Sequence, residues 1–519
     1  MTTTYDEIIY PSYPYHQSHP EHLATIARLF GLHSPPIDGC SVLELGCAAG
    51  GNLLPMAEMF PNARFIGIDL SARQVALGQA AVQALGLTNI EFRTVSIMDV
   101  TPEWGQFDYI LCHGIYSWVA DEVQDKILDI CRQNLAPKGI GYISYNTYPG
   151  WHMRGMLREI MCFHAARFTQ PEEQIREARM LLEFLAEASA GDGTPYSLLL
   201  RQETQFLRQQ SDAYLYHDHM EEHNSPCYFF EFTQKVRAAG LQYLGDALFP
   251  SMFARNYPPK IAAILNHLAN DLIQLEQYLD FVRNRMFRSS LVCAMDVPLV
   301  RDINVDLLQQ MYISSPAVRQ ESPAKDPQGK ILAGVTFAVD GAGTVTTADP
   351  VPIAVLEALG RAWPESMEFD QLANALVAAG TLDSTKEVRH RLATVLMDLV
   401  AFAAISLSVG PARCAGRISG PPKVTSLARY LAAKEGWLPT RRHAVCRIDD
   451  FGRRMVPLLN GQRTRDEVID ILLEDFRTGK MSLQQDGAPV RDSVRARELL
   501  AAGLADRLEV LRRAGALVG

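Results

Sequence analysis

One segment near the start of the chain constrains the fold more than any other part of the sequence. An apolar run, Ser41–Leu45, leads into a glycine-rich stretch, Gly46–Gly51, and a helical pattern follows from Asn52. Glycines in such a turn let the backbone bend tightly and let a ligand approach it closely. Apolar runs and helical stretches then alternate along the chain. The apolar runs are Ser41–Leu45, Arg64–Asp69, Ile90–Val95, Asp108–His113 and Gly139–Tyr145, and the helical stretches are Asn52–Met59, Ala72–Leu85 and Asp121–Leu135.

Strand–helix alternation at this spacing is typical of a doubly wound, mainly parallel sheet, so we predict an α/β, Rossmann-like fold. A later helix, Phe229–Ala239, and a strand, Leu241–Asp246, are predicted to extend the same sheet. The block before that helix, about residues 150–225, has apolar residues at helical spacing. We therefore predict a helical cap beside the carboxyl ends of the strands, where ligands bind in open α/β sheets.

Two acidic residues mark the ends of the first two strands. Glu44 stands just before the glycines in an ExGxxxG pattern, and Asp69 ends the second strand. The pattern differs from the GxGxxG of dinucleotide sites, and a carboxylate before the loop suits a cationic amino group but would repel a pyrophosphate. Asp69 is placed to accept hydrogen bonds from both ribose hydroxyls. We therefore predict S-adenosylmethionine as the cofactor, contacted by Glu44, Gly46, Cys47, Gly50, Asp69 and Leu70.

These residues resemble the cofactor motifs of class I methyltransferases. Four aromatic-rich stretches, residues 10–14, 107–119, 144–151 and 216–224, narrow the resemblance. They are similar to bacterial methyltransferases that carry a methyltransferase regulatory domain, a group that includes rickettsial protein lysine methyltransferases acting on outer-membrane proteins. The resemblance covers about residues 5–295. It implies a Rossmann-like core, S-adenosylmethionine as the methyl donor and a protein lysine as the acceptor.

The resemblance also implies an adenine contact at the end of the third strand. Where related enzymes have an acid, this chain has Ser96, and Asp99 follows three residues later. The Ser96 hydroxyl could bind adenine with Ile97 packing on the ring, and Asp99 fits either an adenine contact or a surface position. His113, after the fourth strand, is predicted to contact the cofactor through its backbone rather than to act as a base, because methyl transfer to an amine needs little base catalysis.

Candidate catalytic residues follow the fourth and fifth strands: Tyr116, Tyr145, Asn146 and Tyr148. A lysine must be neutral to attack a methyl group, and aromatic faces can hold an ammonium while the reactants are aligned. For each tyrosine, packing under the cap is the competing interpretation. Asn146 could accept a hydrogen bond from the amine or could hold its own loop in place. The early tyrosines Tyr5, Tyr10, Tyr13 and Tyr15 fit either an arm closing over the cofactor or an ordered N-terminal strap.

Other features define what the chain is not expected to bind. The net charge of −10 disfavours a nucleic-acid partner. No metal is predicted: His217, His219 and His223 adjoin two glutamates but have no partner motif, and a solvated surface helix is favoured. The nine cysteines without a CxxC, the lack of a signal peptide and the lack of a long apolar run predict a cytoplasmic protein with no membrane span.

The predicted domains are a catalytic domain, 1–255, with its cap at about 150–225, a helical regulatory segment, 256–315, and two α-rich modules, 330–410 and 424–519. The two modules are predicted to be winged-helix-like, and Ser314–Lys330 is predicted to be a linker. The basic cluster of Arg283, Arg285 and Arg288 fits a solvated face or ion pairs with the helical block.

Three functions stay open on the sequence. The first is methylation of a protein lysine. The second is methylation of a small molecule or sugar, with the C-terminal modules forming a homodimer. The third is a sensor or scaffold that binds S-adenosylmethionine without catalysis.

Overall fold

The computed structural model describes residues 4–322, 332–383 and 386–518. The helices up to residue 301 are α1 (Thr4–Glu7), α2 (Pro20–Leu29), α3 (Leu53–Met59), α4 (Ala72–Leu85), α5 (Asp121–Asn134), α6 (Trp151–Ala165), α7 (Pro171–Ala188), α8 (Pro195–Arg208), α9 (Asp212–His219), α10 (Phe229–Ala238), α11 (Pro259–Leu268) and α12 (Leu272–Arg283). The strands are β1 (Ser41–Leu45), β2 (Arg64–Asp69), β3 (Ile90–Thr94), β4 (Phe107–Cys112), β5 (Leu135–Asn146), β6 (Leu241–Asp246) and β7 (Phe287–Ala294).

The remaining helices are α13 (Pro350–Ala362), α14 (Phe369–Ala378), α15 (Lys386–Ala401), α16 (Ser426–Lys434), α17 (Asp450–Met455), α18 (Arg465–Arg477) and α19 (Ser493–Arg513). The strands are β8 (Tyr312–Ser314), β9 (Val318–Arg319), β10 (Val335–Val339), β11 (Gly343–Thr347), β12 (Met367–Glu368), β13 (Ser406–Ser408), β14 (Trp437–Pro439), β15 (Val445–Arg447), β16 (Gln484–Gln485) and β17 (Ala488–Pro489). The chain forms two compact units. The first comprises Met1–Ser12, Gly31–Leu53 and Asn62–Arg301, and the second comprises Tyr13–Phe30, Leu54–Pro61 and Asp302–Gly519.

A seven-stranded sheet, counted over the described residues, organises the first unit in the order β3-β2-β1-β4-β5-β7-β6. The strands β1 to β5 run parallel, and β7 is antiparallel to both β5 and β6. This topology confirms the predicted α/β, Rossmann-like fold. The helices α5 and α10 cover one face and form a continuous hydrophobic core with the sheet. That core includes Leu43, Ile68, Ile110, Ile143, Ile127 and Phe232.

The strand β7 was not predicted, and it extends the sheet beyond residue 255, the predicted end of the catalytic domain. It lies between β5 and β6, and its residues 288–293 are buried in succession, so no alternation of buried and exposed positions marks the strand in the sequence. The strand is also hard to predict because it contains the polar run Arg288-Ser289-Ser290. Polar residues are not expected at buried positions until their partners are known.

The cap consists of α6 to α9, which come between β5 and α10 in the chain. It has its own core, which includes Leu157, Met161, Ile175, Leu182, Leu200 and Leu207. The prediction of a solvated histidine helix here is wrong: His217 and His219 are only 2% and 1% exposed. The helix α9 ends at His219, so His223 does not share a helical face with it. Across the described ranges, no group of three or more His, Cys, Asp or Glu side chains is arranged to hold a metal ion.

Two arginines of the predicted basic cluster, Arg285 and Arg288, form ion pairs, whereas Arg283 donates to Tyr257 Oη at 3.0 Å and to the Ser251 carbonyl. Arg288 of β7 donates to Asp246 of β6 (3.0 Å) and to Glu276 (3.0 Å) and Asp280 (2.7 Å) of α12. Arg285 also donates to Asp246 (2.9 Å). The cluster therefore ties α12 to the two strands at this edge of the sheet.

The second unit contains small antiparallel sheets and helices. Strand β8 pairs with β12 and β13, and β9 pairs with β10. Both β8 and β9 overlap the predicted linker, whose residues 323–330 lie outside the described part of the chain. The C-terminal module, α16 to α19, has a leucine-rich core that includes Leu472, Leu500, Leu504 and Leu508. In the parts of the chain that the structure describes, we find no helix with the length and hydrophobicity needed to cross a membrane.

Candidate active site

The glycine loop after β1 is shaped by close contacts with neighbouring side chains. Gly46 and Gly50 have φ values of +74° and +78°, in the region that favours glycine. A Cβ on Gly46 would lie 2.4 Å from the Ile115 side chain, and one on Gly50 would lie 2.1 Å from the Phe92 ring. The amides of Gly46 and Cys47 donate to the carbonyl of Ile68 at 2.8 and 2.9 Å. The loop is therefore held against β2 and leaves no room for side chains at either glycine.

Glu44 is almost fully buried at the end of β1. Its Oε1 accepts a hydrogen bond from Asn52 Nδ2 at 2.7 Å. Its Oε2 is buried and has no hydrogen-bond donor among the described residues. Burial raises the pKa of Glu44 to about 8; the Asn52 hydrogen bond opposes this shift, and the charge of Asp69 adds to it. A buried carboxylate oxygen without a donor is energetically costly, so this position fits an incoming ammonium group.

Asp69 lies at the end of β2, beside the glycine loop. Its Oδ2 accepts from the Ala48 amide and its Oδ1 from the Ser71 amide, both at 2.9 Å. Burial raises the pKa of Asp69, although these two hydrogen bonds act in the opposite direction. Each carboxylate oxygen keeps a second lone pair, which suits a pair of ribose hydroxyls. The next residue, Leu70, is 57% exposed, unusually so for an apolar side chain beside a buried acid.

The segment after β3 emerges beside Leu70, because Val95 N donates to the Asp69 carbonyl at 3.1 Å. Ser96 begins a single helical turn, Ile97–Asp99, and its hydroxyl oxygen accepts from the Met98 amide at 3.2 Å. The Ser96 hydroxyl hydrogen is not used in that bond. Asp99 is exposed on the same turn. The geometry keeps both Ser96 and Asp99 as candidates for the adenine contact.

His113 follows β4 and is held by two hydroxyl groups. Its Nδ1 lies 2.8 Å from Tyr142 Oη and 3.3 Å from Ser144 Oγ. Burial lowers the pKa of His113 to about 4, so the imidazole is neutral at physiological pH. A group with so low a pKa is a poor general base.

The four candidate catalytic residues separate into two pairs. Tyr145 lies in the hydrophobic core, where its ring stacks on Phe232 (4.2 Å between centroids) and its hydroxyl lies 3.0 Å from Ser290 Oγ. Tyr116 packs edge-on against the same phenylalanine and is 1% exposed. These contacts correspond to the packing interpretation of both tyrosines. Asn146 and Tyr148 instead come at the end of β5.

At Asn146 the backbone, not the side chain, holds the loop. Its amide N donates to Ser117 Oγ at 2.8 Å, and its carbonyl accepts from Cys227 N at 3.3 Å. Its side-chain Nδ2 is buried and has no partner within the described part of the chain. The side chain of Asn146 is therefore available to a ligand.

Tyr148 stacks on His152, with centroids 3.9 Å apart, and its ring lies 5.3 Å from that of Tyr228. The three rings form a partly exposed aromatic group, of which Tyr148 and His152 follow Asn146 closely in the chain. Tyr228 comes 80 residues after Tyr148, beyond the cap, so sequence spacing contains no signal for it. Sequence spacing likewise contains no signal for Ser117, which accepts from the Asn146 amide, or for Tyr142, whose hydroxyl lies beside His113. Asn52 stands within the glycine motif, but only the folded loop shows that it points back to Glu44.

Three family models match the chain. A methyltransferase domain model matches residues 42–139, a "predicted methyltransferase regulatory domain" matches 211–294, and a "PKMT, C-terminal winged helix domain" matches 421–516. The last confirms the winged-helix prediction for the C-terminal module. Together with the sheet and the two acidic residues, these matches define a class I methyltransferase, and S-adenosylmethionine is its cofactor.

Similar proteins extend over nearly the whole chain. An uncharacterised protein of Rickettsia prowazekii, RP789, is 36% identical over 503 residues, which are 96% of this chain and 90% of the relative. The solved structure of PKMT2 from Rickettsia typhi is 30% identical with a TM-score of 0.86, covering 98% of this chain and 100% of that one. The same protein in complex with AdoHcy matches equally well. The chain therefore belongs to the family of class I S-adenosylmethionine-dependent methyltransferases represented by PKMT2.

Cofactor binding is expected to release a proton from Glu44 at neutral pH. With a pKa of about 8, the free carboxyl is mostly protonated at pH 7, and an ammonium beside it favours the carboxylate. Affinity should therefore rise with pH between 6 and 8, by up to about tenfold per pH unit. Isothermal titration with S-adenosylhomocysteine in two buffers of different ionisation enthalpy measures this release.

The control for this experiment is Glu44→Gln, which has no proton to lose. We expect weaker binding in this variant, with equal heats in both buffers. Equal heats for the unmodified protein would contradict the proposed contact between Glu44 and the amino group.

Proposed function

We propose that this enzyme methylates the side chain of a lysine in a protein. The sequence resemblance to rickettsial protein lysine methyltransferases supports the proposal, as does the PKMT name shared by the solved relative and the winged-helix family. The observation that carries it in this chain is the buried side chain of Asn146 at the end of β5, whose Nδ2 has no partner among the described residues.

We propose the following cofactor contacts, which the geometry of the loops supports. Glu44 holds the methionyl ammonium, and the backbone of Gly46, Cys47 and Gly50 lines the site beside it. Asp69 binds the ribose hydroxyls, Leu70 and Ile97 flank the adenine, and Ser96 or Asp99 binds its edge. His113 lines the site in neutral form. When bound, the cofactor supplies a methyl group on a positively charged sulfur.

An amine acceptor fits the chemistry of these residues better than a hydroxyl acceptor. A hydroxyl must lose its proton to attack a methyl group, and the candidate base, His113, has its pKa lowered to about 4. A lysine needs only to arrive neutral, and burial together with the nearby sulfonium charge lowers its pKa. The side-chain oxygen of Asn146 would accept an N–H of the amine, which leaves the nitrogen lone pair free to attack the methyl group. The rings of Tyr148 and Tyr228 would line the approach of the amine.

The test is incubation of the full chain with radiolabelled S-adenosylmethionine and a cell extract, separated into protein and small-molecule fractions. We expect label on a protein, which mass spectrometry maps to lysine. Replacing Asn146 by alanine should lower the turnover rate about 30-fold, since a positioning hydrogen bond is worth about 2 kcal/mol, while leaving cofactor affinity unchanged.

The matched control is Asn270→Ala, which removes an exposed asparagine of the same unit. It should retain full activity. Label confined to small molecules would overturn the protein acceptor and leave the methyltransferase class intact. An unchanged rate in Asn146→Ala would remove Asn146 from the site.

A further inference from the structure

Residues 6–12 touch both cofactor loops. At one end, the Asp6 carboxylate accepts from Ser71 Oγ at 2.6 Å, and Arg73 donates to the Asp6 carbonyl at 2.7 Å. Ser71 also donates its amide to Asp69. The segment is thus bonded to the residue that holds the proposed ribose ligand in place.

At the other end, Ser12 meets the glycine loop. Its Oγ accepts from the Gly51 amide at 2.7 Å. A Cβ on Gly51 would lie 2.1 Å from the Ser12 carbonyl oxygen, so the two backbones are in direct contact and a side chain would separate them. The close approach of Ser12 therefore explains why position 51 is occupied by glycine.

The middle of the segment is bound to the cap. His217 Nε2 donates to the Ile8 carbonyl at 2.7 Å, and Tyr10 Oη donates to Asp218 at 3.0 Å. The Tyr10 ring also meets His217 edge-on, with centroids 5.7 Å apart. The buried histidine of α9 thus binds the N-terminal segment.

We infer that residues 6–12 form an N-terminal strap that closes over the bound cofactor, in which Asp6 and Ser12 are positioning residues for the two cofactor loops. A nucleoside cofactor held by Glu44 and Asp69 lies across both loops. Six peptide units span at most about 20 Å, so the strap reaches from one loop to the other only if it crosses between them. The inference rests on the proposed roles of Glu44 and Asp69, and it is independent of the acceptor.

Two consequences separate a closing strap from simple packing. Release of the cofactor product requires the contacts of Asp6 and Ser12 to break, so weakening them speeds dissociation. Binding of the cofactor also holds the strap closed, so the backbone amides of residues 6–12 exchange more slowly in the complex than in the free protein.

The experiment measures dissociation of radiolabelled S-adenosylmethionine from the full chain after dilution into an excess of unlabelled S-adenosylhomocysteine. Ser12→Ala and Asp6→Ala should each raise the dissociation rate about tenfold, the effect of one lost hydrogen bond. Ser12→Thr keeps the hydroxyl and should keep the slow rate. Asp192→Ala, which removes an exposed aspartate of the cap, is the control for the lost charge and should leave the rate unaltered.

Hydrogen exchange gives a readout that a purely structural role would not move. S-adenosylhomocysteine should slow exchange of the amides of residues 6–12, and Ser12→Ala should reduce that protection while the melting temperature stays within about 2 °C. Dissociation rates within twofold of the unmodified protein in both variants, or exchange that the ligand does not slow, would overturn the strap. If Asp69→Ala then still weakens cofactor binding a few hundredfold, the strap alone has failed; if it leaves binding unchanged, the cofactor assignment has failed.

Discussion

Replacing Arg288 by methionine is expected to lower the free energy of unfolding of the first unit by about 3–5 kcal/mol. Arg288 is 1% exposed and Asp246, Glu276 and Asp280 are fully buried. Its guanidinium also lies 3.6 Å from the centroid of the Phe229 ring. Without Arg288, Arg285 still pairs with Asp246 and Asp280, and Tyr243 still donates to Glu276, but the three carboxyl groups lose the cation that they share. An uncompensated buried charge is far more costly than a lost surface ion pair.

The loss of stability in Arg288→Met is expected to depend on pH. Burial already raises the pKa of Glu276 to about 7, with Arg288 acting against the shift. Removing Arg288 raises that pKa further above its value in the unfolded chain. Protonation of Glu276 in the variant removes the unpaired charge, so the deficit is largest above this raised pKa and shrinks as the pH falls through it toward 7.

The free energy of unfolding is measured in urea, with hydrogen exchange of peptides from β6 and β7 as the signal. These peptides report on the first unit alone. The control is Arg283→Met, because Arg283 bonds Tyr257 and a backbone carbonyl rather than a carboxylate. It should cost about 1 kcal/mol with little pH dependence. A loss in Arg288→Met no larger than in Arg283→Met would show that the buried ion cluster contributes little.

Asp69→Ala should weaken cofactor binding by a few hundredfold. Two hydrogen bonds from ribose hydroxyls to a carboxylate contribute about 3–4 kcal/mol together, since bonds to charged groups are the stronger kind. The variant also removes the acceptor for the Ala48 and Ser71 amides, which shape the loops on either side.

Titration with S-adenosylhomocysteine measures this loss. Asp129→Ala, an exposed aspartate on α5, is the control and should bind normally. In the same titration, Ser96→Ala and Asp99→Ala identify the adenine contact, because only one of them should weaken binding. Affinity within threefold of the unmodified protein in Asp69→Ala would contradict the ribose assignment.

Much of the fold was predictable because its signals are local. The predicted bounds of β1, β2, α4 and β6 agree with the structure, since each is an apolar run or helical pattern between clear breaks. The strand β7 was not predictable in this way. Its buried polar residues have partners that are distant in sequence: Arg288 bonds Asp246, and Ser289 and Ser290 bond Tyr142 and Tyr145.

The cofactor side of the site follows the same division. Glu44, the glycines and Asp69 form one β–α–β unit, so their relation is set by neighbouring residues and by the twist of parallel strands. At the acceptor side, the sequence did not decide whether Tyr116 and Tyr145 pack under the cap or contact the acceptor. It also did not decide whether Asn146 contacts the amine or holds its loop. The structure places both tyrosines in the core, and it leaves the side-chain Nδ2 of Asn146 without a partner among the described residues.

The sequence by itself determined the Rossmann-like sheet, the pair of acidic residues and hence the choice of cofactor, because these depend on residues close together in the chain. Only the tertiary structure decided what surrounds them: the strap of residues 6–12 on Gly51 and Ser71, the buried Arg288 cluster and the aromatic group around Tyr148. Each of these joins segments tens to hundreds of residues apart. Their stability comes from desolvation and hydrogen-bond geometry that exist only once the chain has folded.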